Sequence, residues 1–360
     1  MAFDLSKFFE DIFKPGEDEI VTIMYDLPHG RIADNDEWRE RRKMAEEWRQ
    51  ALADKAGNWN LTVNPSVTYN ATGSGNADLP ESCWMADQET NLDEVINNST
   101  ILLAMPEFSA TAPLYYKTKK IPKLRVGSMP GAAKFMEESG LSADYSSISR
   151  KGKIIEKIVE RAIAAEVEFS SGHKCYFDIK DGSPAQTDDG ILHPERGGTE
   201  LAVSNLPAGE VYCVPNEAED SGTNGELPEK IGDEVRVYVI KNNRVVDVLG
   251  DSDATAELRG KFKEDPGWCN IAEFAIGIND KARVTGNVLE DEKTGFHWAY
   301  GRSDHLGGKV GVEAFNSKEN VIHLDIVYAK GNPIVCSRLD VIFPDESRRT
   351  LILDGEVQVE

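Results

Sequence analysis

The hydrophobic positions of this chain change their period part-way along it. Residues 20–25 (Ile-Val-Thr-Ile-Met-Tyr) form a short apolar run, the pattern of a buried strand. Trp38, Met44, Ala45, Trp48 and Leu52 then recur at helical spacing. Asp34 and Glu37 have capping-box character ahead of that helix, and Gly57 is placed to end it. Residues 99–105 and 124–127 read as two more buried strands, the second followed by a Pro-Gly turn and a short helix near 132–138. Buried strands alternating with helices predict an α/β domain with a parallel sheet over residues 1–165. The turn after the first strand, Asp26-Leu27-Pro28-His29-Gly30, is not a dinucleotide-binding glycine fingerprint.

A helical pattern over 149–165, with Ile154, Ile155, Ile158, Val159 and Ala162 on its apolar side, reads as the connector. Beyond it the pattern alternates. Residues 166–169 and 174–179 look like half-exposed strands. Residues 235–240 and 244–249 flank Asn242-Asn243, a type I′ hairpin turn, and Asp354-Gly355 joins a second hairpin. Residues 166–360 are therefore expected to form an α+β domain with mostly antiparallel strands.

Charge narrows the partners. Sixty-three acidic against 40 basic residues give a net charge of −23, a field that repels nucleic acid and anionic membrane surfaces. No apolar run approaches the ~18 residues of a membrane span, and the start lacks the basic and apolar regions of a secretion signal. The five cysteines are scattered and form no CxxC pair, which argues for a reducing compartment and against a cysteine-based zinc site. The expected location is the cytoplasm.

The six histidines are scarce enough for their placing to matter, and three stand at 297, 305 and 323. His323 and Asp325 are two apart in a strand-like stretch, so both point to one face and can chelate one cation. Alone, the pair fits a structural His–Asp hydrogen bond equally well. His297 sits between aromatic residues, just after Glu290, Asp291 and Glu292, which read as a solvated acidic turn. Glu210 and Glu273 stand in apolar settings, where a carboxylate needs a cation, a metal or a set of donors. Glu217–Asp220 reads as a solvated loop, and no serine or cysteine shows a nucleophile signature. His29 and His193 are given no role.

Four motifs occur in order: Leu206-Pro207-Ala208-Gly209-Glu210-Val211, Ala272-Glu273-Phe274-Ala275-Ile276-Gly277, the block 289–301, and His323-x-Asp325. Over about residues 195–330 they resemble the aminopeptidase T (M29) metallopeptidase family, whose fold family also includes the 2,5-dihydroxypyridine 5,6-dioxygenases. The resemblance implies a two-domain protein, a homodimer, with two divalent ions (zinc, manganese or cobalt) in the second domain. It makes Glu210, Glu273, His297, His323 and Asp325 ligands and Glu210 or Glu273 the general base. The implied function is hydrolysis of a short peptide or other small amide by a metal-activated water. The family's peptidases carry a tyrosine ligand seven residues after the first histidine. Here that position is Asp304, with His305 beside it as a candidate ligand and Tyr300 only three residues along. The alternative chemistry is a ring-cleaving dioxygenase using one iron(II), with Trp268, Trp298 and Tyr300 as candidate pocket walls. A third reading is a relative whose altered site no longer catalyses.

Overall fold

A computed structural model describes residues 3–199 and 201–359 of the chain. Met1 and Ala2, the head of the start examined for a secretion signal, lie outside the described residues. The chain divides into two compact units, Met1–Ser146 with Asp188–Ala208, and Ser147–Thr187 with Gly209–Glu360. The first unit is thus discontinuous and ends earlier than the 1–165 expectation. Val203–Asn205 returns to it because this strand pairs in parallel with Arg125–Ser128.

The first unit is α/β. Its sheet runs Val203–Asn205, Arg125–Ser128, Ile101–Ala104, Ile20–Leu27, Val67–Asn70, Ser82–Met85, Gln88–Asn91. The first five of these pair in parallel and the last two join antiparallel. The central strands are apolar on both faces because helices cover both, and Met24, Val67, Leu102, Ala104 and Val126 share one core. At the carboxyl end of Ile20–Leu27, buried Asp26 accepts from Trp38 Nε1 (2.9 Å), Glu107 N (2.7 Å) and Phe108 N (3.1 Å). The chain's own amides fill the place where an α/β sheet of this kind often takes a ligand.

Trp38, Met44, Ala45, Trp48 and Leu52 are all buried on the helix Asp36–Trp59. Both of its expected ends move. Asn35, not Asp34, caps the start, its side chain accepting from Trp38 N at 2.8 Å, while Asp34 pairs with Arg39 and Arg42. The helix runs through Gly57 and stops at Asn60, which takes the left-handed conformation (φ 52°) and returns its N–H to Ala56. The connector helix is Tyr145–Val159, earlier than the expected 149–165, because the strand Ala164–Phe169 already pairs there with Cys336–Ile342. Ile154, placed on its apolar side by periodicity, is exposed.

The second unit is α+β. An eight-stranded antiparallel sheet packs against a five-stranded one. Both expected hairpins form: Asn242 and Asn243 have φ of 52° and 60°, and Asp354 and Gly355 have 50° and 77°. An aromatic layer fills the space between the sheets. Phe169 lies 4.5 Å from Tyr328, Phe177 5.2 Å from Phe274 and Tyr238 5.4 Å from Trp298 between ring centroids. Trp298 and Tyr300 belong to this core, and half-buried Trp268 packs against Tyr300. Trp298 and Tyr300 alternate with His297 along their strand and so face away from the candidate ligands. No helix among the described residues is long and apolar enough to cross a membrane.

Asn35→Ala should lower stability by about 1 kcal/mol in urea unfolding, the usual worth of an N-cap. Asp34→Ala should cost less than Asn35→Ala, because its ion pairs are solvent-screened. The reverse order would return the cap to Asp34.

Candidate metal centre

Four neighbouring strands of the five-stranded sheet build the site: Glu210–Cys213, Ile271–Gly277, Phe296–Gly301 and His323–Val327. Their register decides what meets. Glu210 pairs with Gly277, Glu273 with Ala299, His297 with Ala275, His323 with Gly301, and Asp325 with Ala299. Paired residues share a face, so all five candidate ligands stand on one side of the sheet, each opposite an alanine or a glycine. Large side chains alternate onto the other side and form the aromatic core. Tyr212 also falls on the ligand side, opposite Ala275.

The side chains converge. Glu273 joins the two histidines, one carboxylate oxygen 3.0 Å from His323 Nε2 and the other 3.9 Å from His297 Nε2. Asp325 Oδ1 lies 3.6 Å from His323 Nε2, and Glu210 Oε2 3.3 Å from His297 Nε2. Backbone carbonyls hold both rings. His297 Nδ1 faces Gly295 O at 3.3 Å and His323 Nδ1 faces Arg302 O at 2.7 Å. A carbonyl only accepts, so each Nδ1 carries a proton and each Nε2 points at the carboxylates.

Three overlapping groups have ligand atoms within 4.8 Å of one another: Glu210, Glu273 and His297; Glu273, His323 and Asp325; Glu292, His297 and Asp325. Mixed nitrogen and oxygen donors of this kind suit zinc, manganese, cobalt or iron(II). Glu210 Oε2 is buried and accepts no hydrogen bond, an acceptor that a cation would satisfy. The residues present therefore fit a divalent ion.

Neither Asp304 nor His305 enters any of these groups. Arg302 takes the Asp304 carboxylate, Nε to Oδ1 at 2.6 Å. His305 packs edge-on against His323, ring centroids 5.2 Å apart, and is a neighbour of the ligands. The position seven residues after His297 thus lies outside the candidate donor groups. His29 is exposed, and His193 and His173 lie outside these groups.

The largest departure from the sequence reading is the acidic turn. Glu290, Asp291 and Glu292 are buried, and Lys293 is fully buried. The loop before them folds back. Arg283 N donates to Glu290 (3.0 Å), and Thr285 N and Gly286 N to Asp291 (2.7 and 3.0 Å). Lys293 Nζ lies 2.7 Å from Glu210 Oε1 and 2.6 Å from Glu292 Oε1. Glu217, also read as solvated, accepts from Asn270 Nδ2 at 2.7 Å and from Ser303 Oγ.

The electrostatics follow from this crowding. Burial opposes ionisation of Glu210, but Lys293 and His297 override it and hold the carboxyl at about 2. Burial also opposes a charged His297, yet Glu210, Glu273 and Asp325 push it up to about 9. His323 is likewise raised by Asp325 and Glu273 against burial, and Asp325 is lowered by His323. Burial raises Glu273 and lifts Glu292 to about 8. Burial pushes His305 down to about 4, so it is neutral near pH 7.

No family model matches the sequence, and no curated protein does. A solved structure of 2,5-dihydroxypyridine dioxygenase from Pseudomonas putida KT2440 is similar, with a TM-score of 0.65 at 16% identity over 99% of this chain and 97% of that one. At that identity the likeness establishes the fold. It falls on the dioxygenase side of the resemblance drawn from the motifs.

Two measurements probe the assignment. His323→Ala should strip the metal while His305→Ala keeps it, read as ions per folded chain. Equal loss in both would make His305 a ligand. Metal binding should also tighten as pH rises from about 6 toward 9, roughly tenfold per unit for each proton displaced, because the raised histidines hold protons that an ion must replace. A pH-independent affinity would contradict the ligand role of both imidazoles.

Proposed function

We propose that this chain is a divalent-metal enzyme of the ring-opening dioxygenase type, holding one iron(II) ion and acting on a small dihydroxylated aromatic. The observation that carries the proposal is the group Glu273, His323 and Asp325, three donors from the two strands that flank Phe296–Gly301, which leave further coordination positions open. The fold shared with a 2,5-dihydroxypyridine dioxygenase supports the same chemistry.

Each residue has a separate task. His323 and Asp325, side by side on one strand, chelate. Glu273 bridges toward His297 and keeps that imidazole aimed at the same point. His297 and Glu210 stand where they can accept or hold a proton from a substrate hydroxyl. Burial excludes bulk water from the donors. When bound, the ion supplies the electronic coupling between an electron-rich ring and O₂ that side chains lack.

A second reading is favoured by one feature of the geometry. Glu273 and Asp325 each belong to two of the three donor groups, as bridging carboxylates of a two-ion hydrolase would. In that reading a metal-bound water attacks an aminoacyl amide, with Glu210 or Glu273 as base.

Elemental analysis of protein purified without chelator, followed by oxygen-electrode assays on dihydroxypyridines and dihydroxybenzenes, separates the two. About one iron per chain with O₂ uptake is expected. About two zinc, manganese or cobalt ions, with hydrolysis of aminoacyl amides and no O₂ uptake, would replace the dioxygenase with the hydrolase.

A further inference from the structure

Lys293 is the most deeply placed cation of the candidate centre, and neither chemistry above gives it a role. It sits in the turn Glu292–Thr294, which lies directly over Gly277. A Cβ at Gly277 would collide with the backbone of Glu292, Lys293 and Thr294, so glycine is what lets the turn approach. Two backbone hydrogen bonds pin the turn there, Asn279 N to Lys293 O at 2.9 Å and Gly277 N to Gly295 O at 2.8 Å. Glu210 is the strand partner of Gly277. The turn is thereby fixed beside the Glu210 carboxylate, and the lysine side chain, fully buried, reaches Glu210 and Glu292 together.

Two of the three donor groups depend on Glu210 or Glu292; the third, Glu273 with His323 and Asp325, uses neither. We propose that the Lys293 ammonium is a built-in second cation: it occupies one oxygen each of Glu210 and Glu292, a donor in each of the other two groups, and limits the centre to one exchangeable ion at Glu273, His323 and Asp325. This inference deepens the one-ion reading above and rests on it.

The physical case is one of competition for the same oxygens. An ion held by either of the other two groups would use Glu210 or Glu292, each already holding the ammonium on one oxygen, and would lie within a few ångströms of it. Two like charges so close, away from water, repel strongly. The lysine cannot retreat to solvent, because its backbone is pinned on both sides and its side chain is enclosed. Conversely, without the ammonium, Glu210 and Glu292 would be buried carboxylates beside Glu273 with too little positive charge, and a second dication is the simplest replacement.

The test uses the full-length chain and manganese(II). After equilibrium dialysis, the wild type should hold about one ion per chain, with the electron paramagnetic resonance spectrum of an isolated ion. Lys293→Met, similar in volume but neutral, should hold about two and give the signature of a spin-coupled pair. Lys293→Arg, which keeps the charge, should stay near one. Lys293→Gln provides the same neutralisation should the methionine variant fail to fold, with circular dichroism as the control. Two ions in the wild type overturn the inference without any variant. A folded Lys293→Met or Lys293→Gln that stays at one ion overturns it as well. A wild type with one ion and no O₂ uptake would leave the cation role standing and remove the dioxygenase reading.

Discussion

The second unit is organised around one electrostatic constraint: several carboxylates share one buried face of a sheet and must be balanced there. Glu210, Glu273, Glu292 and Asp325 lie beside His297, His323 and Lys293, the groups that carry positive charge within the cluster among the described residues. The opposing pKa directions within the cluster express this balance. Glu210 falls to about 2 beside Lys293, while Glu292 and Glu273 rise for want of enough compensation. Such an arrangement is costly for stability alone, since a well-packed apolar cluster would serve a fold as well. On one face of a sheet, such a cluster could hold a cation.

The sheet makes the cluster possible through the strand pattern. Glu273-Phe274-Ala275-Ile276-Gly277 and His297-Trp298-Ala299-Tyr300-Gly301 repeat one theme: a ligand, a large apolar residue, alanine, another large residue, glycine. The large residues drive the strands onto the aromatic core, and the small ones let the facing groups, the Glu292–Thr294 turn over Gly277 among them, approach the sheet closely. Antiparallel pairing offsets the two strands so that Glu273 meets Ala299 and His297 meets Ala275. Ligands therefore interleave with small residues and do not collide. Polar function on one face and apolar packing on the other are consequences of the same period of two.

Much of this could be read from the sequence, and the limits have physical reasons. Glu210 and Glu273 stood out because a carboxylate among apolar neighbours demands a partner. His323 and Asp325 stood out because their spacing puts them on one strand face. The α/β-then-α+β order and both hairpins followed from hydrophobic period and turn chemistry. Glu292 and Lys293 were not legible, because a Glu-Asp-Glu-Lys run has the composition of a solvated turn. Only the fold-back of residues 283–286, whose amides satisfy Glu290 and Asp291, buries it. The helix cap was misplaced by one residue because Asp34 and Asn35 are both good caps, and Arg39 and Arg42 claim Asp34. His305 was close in sequence to the position where the family carries a ligand, yet proximity in sequence does not aim a ring.

The balance of charge also bears on which chemistry the fold supports. A hydrolytic centre of two ions needs bridging carboxylates free on both oxygens, so that each can reach a different ion. Glu273 meets that condition, with one oxygen toward each histidine. Glu210 does not: one of its oxygens already accepts from the Lys293 ammonium, and only the other, which accepts no hydrogen bond, remains for an ion or a substrate proton. An ammonium can satisfy a carboxylate, but it has no open coordination position and cannot activate a water as a dication does. The lysine thus turns half of what resembles a two-ion site into a fixed electrostatic support. One half remains for a labile ion, with one imidazole and two carboxylates to hold it.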